Sequence, residues 1–212
     1  MLNVGLTGGI ATGKTSVAEM FKKKGAYVID FDVLTHKVQE PRRPVWQAII
    51  DFFGREILND DETINRGKLG TIVFQDRIKL TKLNEIVHPF LFEEWRHYIS
   101  EIQNKTPDVI IISDIPLLIE TGVRKLVDLI VLVYASPSQQ VERLITRNGC
   151  NREESLRRIA SQLPIDDKIP YADILIDNSF SLENTRQKVD EIWAELDKRQ
   201  REKSMLPDPL PD

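Results

Sequence analysis

The stretch Gly8-Gly9-Ile10-Ala11-Thr12-Gly13-Lys14-Thr15 limits the fold more than any other part of the chain. Glycine, four residues, then Gly-Lys-Thr is the spacing of a phosphate-binding P-loop. Glycines let backbone N–H groups turn inward around phosphate oxygens, and a helix opening at the loop adds the positive end of its dipole. The pattern carries this meaning only between a strand and a helix. Here "LNVGLT" (2–7) is a short β-like run, and "VAEMFKKKG" (17–25) sets Val17, Met20 and Phe21 at helical spacing. Lys22, Lys23 and Lys24 lie where the helix dipole favours cations, and Gly25 suits the cap. "AYVID" (26–30) is the next strand. A β-loop-α-β unit implies a parallel sheet.

Downstream, periodic helical patterns such as "PVWQAIIDFFG" and "KLTKLNEIVHPFLFEEWRHYISEI" dominate, and no strong strand is expected before residue 108. "DVIIISDIPLL" (108–118) and "KLVDLIVLVYAS" (125–136) are continuous Val/Ile/Leu runs, as in sheets covered on both faces, and "ADILIDN" (172–178) is a fifth strand. "SQQVERLITRNG", "REESLRRIASQLP" and "LENTRQKVDEIWAELDKRQREK" are helices. Trp46, Trp95 and Trp193 fall on helical faces and are assigned to packing. The expected organisation is a core of residues 1–33 and 108–204, a helical insertion at 34–107, a lid segment at 147–170 and a disordered tail at 205–212.

Of the 212 residues, 41% are hydrophobic and 29% charged, which fits a soluble globular chain. A net charge of −4 argues against nucleic acid as a main partner. The single cysteine, Cys150, rules out an intrachain disulfide and fits a reducing compartment. The most apolar stretch is interrupted by Asp114 and Pro116 and is too short to span a bilayer. A cytoplasmic monomer without a membrane partner is expected.

The loop implies a nucleoside triphosphate. Lys14 is expected to bridge its β- and γ-phosphates, and the Thr15 hydroxyl to ligate Mg²⁺. "NKTPD" (104–108) misses the Asn-Lys-x-Asp base reader of GTPases, because Pro107 stands where the acid belongs. A short P-loop chain with a helical insertion points to a kinase for a small acceptor. Asp30 and Asp32 close the second strand, at the sheet edge where the P-loop also lies. Were the strand to continue, period-two spacing would set both on one face. Phosphoryl transfer needs a group that orients the acceptor hydroxyl and takes its proton, and Asp32 is assigned that role. Asp114, ending the third strand, is a candidate to act on the metal through water. Arg143 and Arg147, at i and i+4, form the candidate arginine face of a lid that neutralises the moving phosphoryl group. Arg152, Arg157 and Arg158 are assigned to solvent. Asp177 and Asn178 end the fifth strand, either on the nucleotide's adenine side or in a turn. A shikimate- or nucleoside-monophosphate-type kinase, and a nucleotide-dependent switch, remain alternatives at this point.

Together these segments resemble the dephospho-CoA kinase family along nearly the full length of the chain. "VGLTGGIATGKTSV" and "VIDFD" match its loop and its Asp-x-Asp segment, with Phe31 replacing a usual small residue. "INRGKLGTIVF", "IVHPFL", "DIPLLIETG" and "RNGCNREESLRRIASQLPIDDKIPYADILIDNS" follow in family order. The P-loop and Asp-x-Asp are shared with shikimate kinase and its relatives; the later segments are more specific.

The resemblance implies an α/β fold: a P-loop kinase-type parallel five-stranded sheet flanked by helices, with a helical acceptor-binding insertion and a helical lid. It implies ATP-dependent phosphorylation of the ribose 3′-hydroxyl of dephospho-CoA, the last step of coenzyme A synthesis. ATP with Mg²⁺ would be held by Gly8, Gly9, Ile10, Ala11, Thr12, Gly13, Lys14, Thr15 and Ser16, aided by Arg147, Asp177 and Asn178. Asp32, Lys14 and Arg143 would act in transfer. Thr7, Asp32, His88, Leu117, Leu118 and Glu120 would face dephospho-CoA. Read from the residues alone, His88 equally suits a structural histidine, and Glu120 a cap or an ion pair.

Overall fold

A computed structural model describes residues 1–205. The chain divides into two compact units, one of Met1–Asp30 with the segment from Ile102 onward, the other of Phe31–Glu101. In chain order, the elements are β1 (Leu2–Gly8), α1 (Lys14–Lys23), β2 (Tyr27–Asp30), α2 (Phe31–Val38), α3 (Pro44–Phe53), α4 (Arg66–Phe74) and α5 (Arg77–Lys105). They continue with β3 (Ile110–Asp114), β4 (Leu129–Tyr134), α6 (Pro137–Asn148), α7 (Arg152–Ala160), α8 (Ile165–Lys168), β5 (Ile174–Asp177) and α9 (Leu182–Met205).

The first unit holds a five-stranded sheet in the order β2-β3-β1-β4-β5, every pairing parallel. β1 is buried along its whole length and β3 likewise, as expected for strands covered on both faces. Their polar members find partners: Ser113 Oγ donates to Asn3 Oδ1 at 2.8 Å, and the Asn3 N–H to Asp128 Oδ2 at 2.7 Å. Val17 and Phe21 of α1 and Val189, Ile192 and Leu196 of α9 pack with Val4, Leu6, Ile112, Val131 and Ile176 of the sheet. The α1 helix closes with the Ala26 N–H bonded to Phe21 O, a six-to-one cap that turns the chain straight into β2. Trp193 packs against this core. Cys150 is a buried free thiol.

The second unit is helical apart from one isolated antiparallel bridge, Leu58 to Ile64. Asn65 caps α4, its Oδ1 accepting the Lys68 N–H at 3.0 Å. The Trp46 indole donates to Glu62 O at 2.8 Å. Phe31 is buried with its ring centre 5.9 Å from Trp95 and 6.5 Å from Phe92. Trp46 and Trp95 are both buried, in keeping with a packing role.

Two sequence expectations change. β2 stops at Asp30, and the helix α2 begins with Phe31, so Asp32 lies in that helix's first turn. The period-two argument that set Asp30 and Asp32 on one strand face therefore fails; burial of Phe31 among aromatic rings favours the helix. Met205, expected in the tail, closes α9, while 206–212 lie outside the described residues. Among the described residues no helix is long and apolar enough to cross a membrane.

Candidate active site

An anion-binding loop needs its N–H groups turned inward, and that forces its carbonyls outward, where each requires a donor. The loop between β1 and α1 meets that demand almost residue by residue. Gly8 O accepts from Lys168 Nζ at 3.3 Å. Gly9 O accepts the Thr12 N–H at 3.2 Å and the Thr12 hydroxyl at 2.9 Å. Ala11 O and Thr12 O take Arg143 Nη1 at 3.4 and 3.2 Å, and Thr12 O also takes Asn178 Nδ2 at 2.7 Å. Gly13 O receives the N–H groups of Ser16 and Val17. The backbone departs from ordinary conformations here, with φ of 60° at Ala11 and 92° at Gly13. A Cβ on Gly13 would stand 2.1 Å from Asn178 Nδ2, and one on Gly8 would stand 2.9 Å from the Val133 carbonyl. Gly8 is thus required by close approach, and Gly13 by close approach as well as by backbone angle. Beyond Gly13, α1 starts with Lys14, and its first N–H groups precede any intrahelical acceptor.

Lys14 is ion-paired to Asp114, the last residue of β3, and both side chains are largely buried. Thr15 and Ser16 follow on the exposed side of α1. Thr7 is buried, its hydroxyl donating to Pro116 O at 3.1 Å. Leu118 is fully buried over Gly5, whereas its neighbour Leu117 is exposed, so of the two only Leu117 offers a surface.

Arg143 was aimed at phosphate by sequence reasoning; its bonds in the structure go to the loop's backbone and, through Nη2, to Asn178 O at 2.7 Å. Asn178 is equally committed: its N–H donates to Tyr134 O, its Oδ1 accepts from the Thr185 hydroxyl at 2.6 Å, and its Nδ2 holds Thr12. Asp177 Oδ1 accepts the Ser179 N–H. Arg147 is exposed and bonded to Asn148 Oδ1. Glu120 Oε1 takes Lys168 Nζ at 2.6 Å and the Leu163 N–H at 3.3 Å. The sequence reading did not single out Lys168. Nothing in "PIDDKIPY" distinguishes it from a solvated lysine, and only the fold shows it fully buried.

In the helical unit, Asp32 is exposed at the start of α2. Arg66, the first residue of α4, was not singled out either. Desolvation pulls its guanidinium below the usual range, and the Asp32 carboxylate pushes it back up, so the two charges sense each other. The "INRGKLG" segment was the available signal. His88 packs its ring 5.6 Å from that of Phe92, and burial holds its imidazole below the ordinary histidine value. Among the described residues, no cluster of His, Cys, Asp or Glu is preassembled for a metal.

A sequence model of the family described as Dephospho-CoA kinase matches residues 2–184. The dephospho-CoA kinase of Syntrophus aciditrophicus is 52% identical over 201 residues, covering 95% of this chain and 86% of that protein. The crystal structure of a Thermus thermophilus protein matches with a TM-score of 0.78 at 29% identity, over 92% of this chain and 97% of that one. A dephospho-CoA kinase structure from Campylobacter jejuni matches with a TM-score of 0.70 at 24% identity, over 93% and 98% of the two chains, and speaks to the fold alone. With the model spanning most of its length and a relative at this identity, the chain belongs to the dephospho-CoA kinase family.

Proposed function

We propose that the protein transfers the γ-phosphoryl group of ATP to the ribose 3′-hydroxyl of dephospho-CoA, giving coenzyme A and ADP. The observation that carries this reading is the carbonyl-out loop at Gly8–Gly13 opening directly into α1, in a chain of this family. Phosphoryl transfer through a loose transition state asks the protein mainly for positioning and for charge stabilisation. The inward N–H groups and the dipole of α1 supply both at the phosphates. Lys14 adds a cation, ion-paired to Asp114 beside the loop. Thr15 Oγ1 would hold Mg²⁺, with Asp114 acting through water, and the ion would supply charge neutralisation at the phosphates.

Asp32 orients the acceptor hydroxyl and receives its proton. Its exposure at a helix start supports this, and the Arg66 guanidinium, which senses the Asp32 charge, steadies the acceptor. His88 and Leu117 line the acceptor side. Arg143 serves transfer by fixing the loop, and Arg147 closes over the nucleotide. The lone Cys150 supports a cytoplasmic setting.

Mass spectrometry of dephospho-CoA incubated with MgATP and the protein tests the reading: one added phosphoryl group is expected, and an unchanged acceptor overturns it. Asp32→Ala is expected to lower kcat by about 10²- to 10⁴-fold while ATP affinity stays within about twofold. Wild-type turnover in that variant removes Asp32 from the mechanism.

A further inference from the structure

Lys168 is the one fully buried lysine among the described residues, and the reaction just outlined does not use it. A buried ammonium is costly unless it is paired and hydrogen-bonded, and a residue needed only to fill space is better apolar. Lys168 satisfies its charge with Glu120 Oε1 at 2.6 Å and spends a further donor on Gly8 O at 3.3 Å. Gly8 O is the first carbonyl of the phosphate loop. No side chain on Gly8 could help hold it, because a Cβ there would collide with Thr12 Oγ1 and the Val133 carbonyl.

Six residues earlier in the same segment, Gln162 Oε1 accepts the Ile10 N–H at 2.9 Å. The loop is therefore gripped at both ends of its opening half, a carbonyl by Lys168 and an amide by Gln162. The intervening chain is itself anchored: the Leu163 N–H bonds Glu120, Ile165 is buried, and Asp166 accepts from the Tyr134 hydroxyl at 3.0 Å. This segment joins α7, in the arginine-rich stretch, to β5.

We propose that Gln162–Lys168 is a strap that sets the shape of the phosphate loop, with Lys168 as its main positioning residue for the nucleotide. The proposal rests on the reading of the loop as an ATP site. Lys168 fixes the peptide that follows Gly8, and Gln162 the Ile10 amide, so the two together fix how the chain enters the loop. The ammonium acts through the backbone and touches no reacting atom.

Such a role predicts a selective kinetic signature. A loop held less well binds nucleotide less well, whereas a merely structural lysine changes only how many molecules are folded. Lys168→Met is expected to raise the KM for ATP by about tenfold or more, with the KM for the acceptor within about twofold. Gln162→Leu, at a less buried position, is expected to raise the ATP KM by roughly threefold with the same selectivity. If Lys168→Met yields no folded protein, Gln162→Leu decides by the same criterion. A lower kcat with neither KM changed, or a parallel rise in both KM values, overturns the proposal. Wild-type turnover separately tests the assigned reaction, so failure of the strap and failure of that reading are told apart.

Discussion

The phosphate loop and the helical unit solve the problem of placing a functional group in opposite ways. Around the loop, donors from Lys168, Arg143 and Asn178 reach backbone carbonyls, and their own remaining groups are bonded again to Glu120, Thr185 and further carbonyls. In the helical unit, Asp32 and His88 sit on α2 and α5, which are held by ring contacts among Phe31, Phe92 and Trp95, while Arg66 opens α4. Ion pairs such as Lys37 with Glu94 at 2.8 Å add to this at a partly exposed surface, where such a pair contributes about 0–1 kcal/mol. A loop fixed by many directed bonds cannot change one residue's angle without breaking several of them. Helix faces fixed by packing tolerate changes of shape but respond to lost volume.

The sharpest way to break this contrast is at Gly13. Gly13→Ala forces a side chain into a φ of 92° and into the Asn178 amide. It is expected to lower kcat/KM by about a thousandfold, roughly 4 kcal/mol of transition-state binding, in a coupled ADP-release assay. The helical unit should keep its Trp46 fluorescence. Trp95→Ala attacks the other side: loss of a buried indole is expected to cost about 3–5 kcal/mol of stability, read by the thermal unfolding of Trp46. ATP affinity should hold within about twofold, measured by calorimetry below the transition. If ATP binding collapses with it, the two modes of positioning are not independent.

The smallest expected effect concerns His88. Burial lowers its folded pKa, so the unfolded chain takes up this proton first as pH falls. Its contribution is therefore complete above about pH 6.5 and is lost below it, with a slope of at most about 1.4 kcal/mol per pH unit. Urea melts at successive pH values should show that slope flattened in His88→Gln. An identical slope in the variant means that other groups carry the acid sensitivity.

The sheet was legible because parallel strands read as continuous Val, Ile and Leu runs, and the loop because its glycines stand at fixed spacing. Asp32 was assigned from chain polarity, as an acid closing β2, and its local geometry was misjudged. Alternation could not reveal that Phe31 would turn inward and start a helix. The residues that hold the loop were harder to read. Arg143 and Asn178 were noticed as neighbours of a ligand, yet their partners are backbone carbonyls, which every sequence contains and none advertises. Lys168, flanked by Asp166, Asp167 and exposed Ile169, carries no periodic signal of burial at all.

The loop's outside donors also bear on the order in which the protein is made. The loop precedes β2 to β5 along the chain, and the groups that hold its carbonyls come 131 to 166 positions later. Contacts of such separation form late, after the intervening chain has closed. A nascent chain lacking β5 holds the motif but not its shape. ATP can therefore stabilise only the finished fold, and cannot rescue a partial one by binding early.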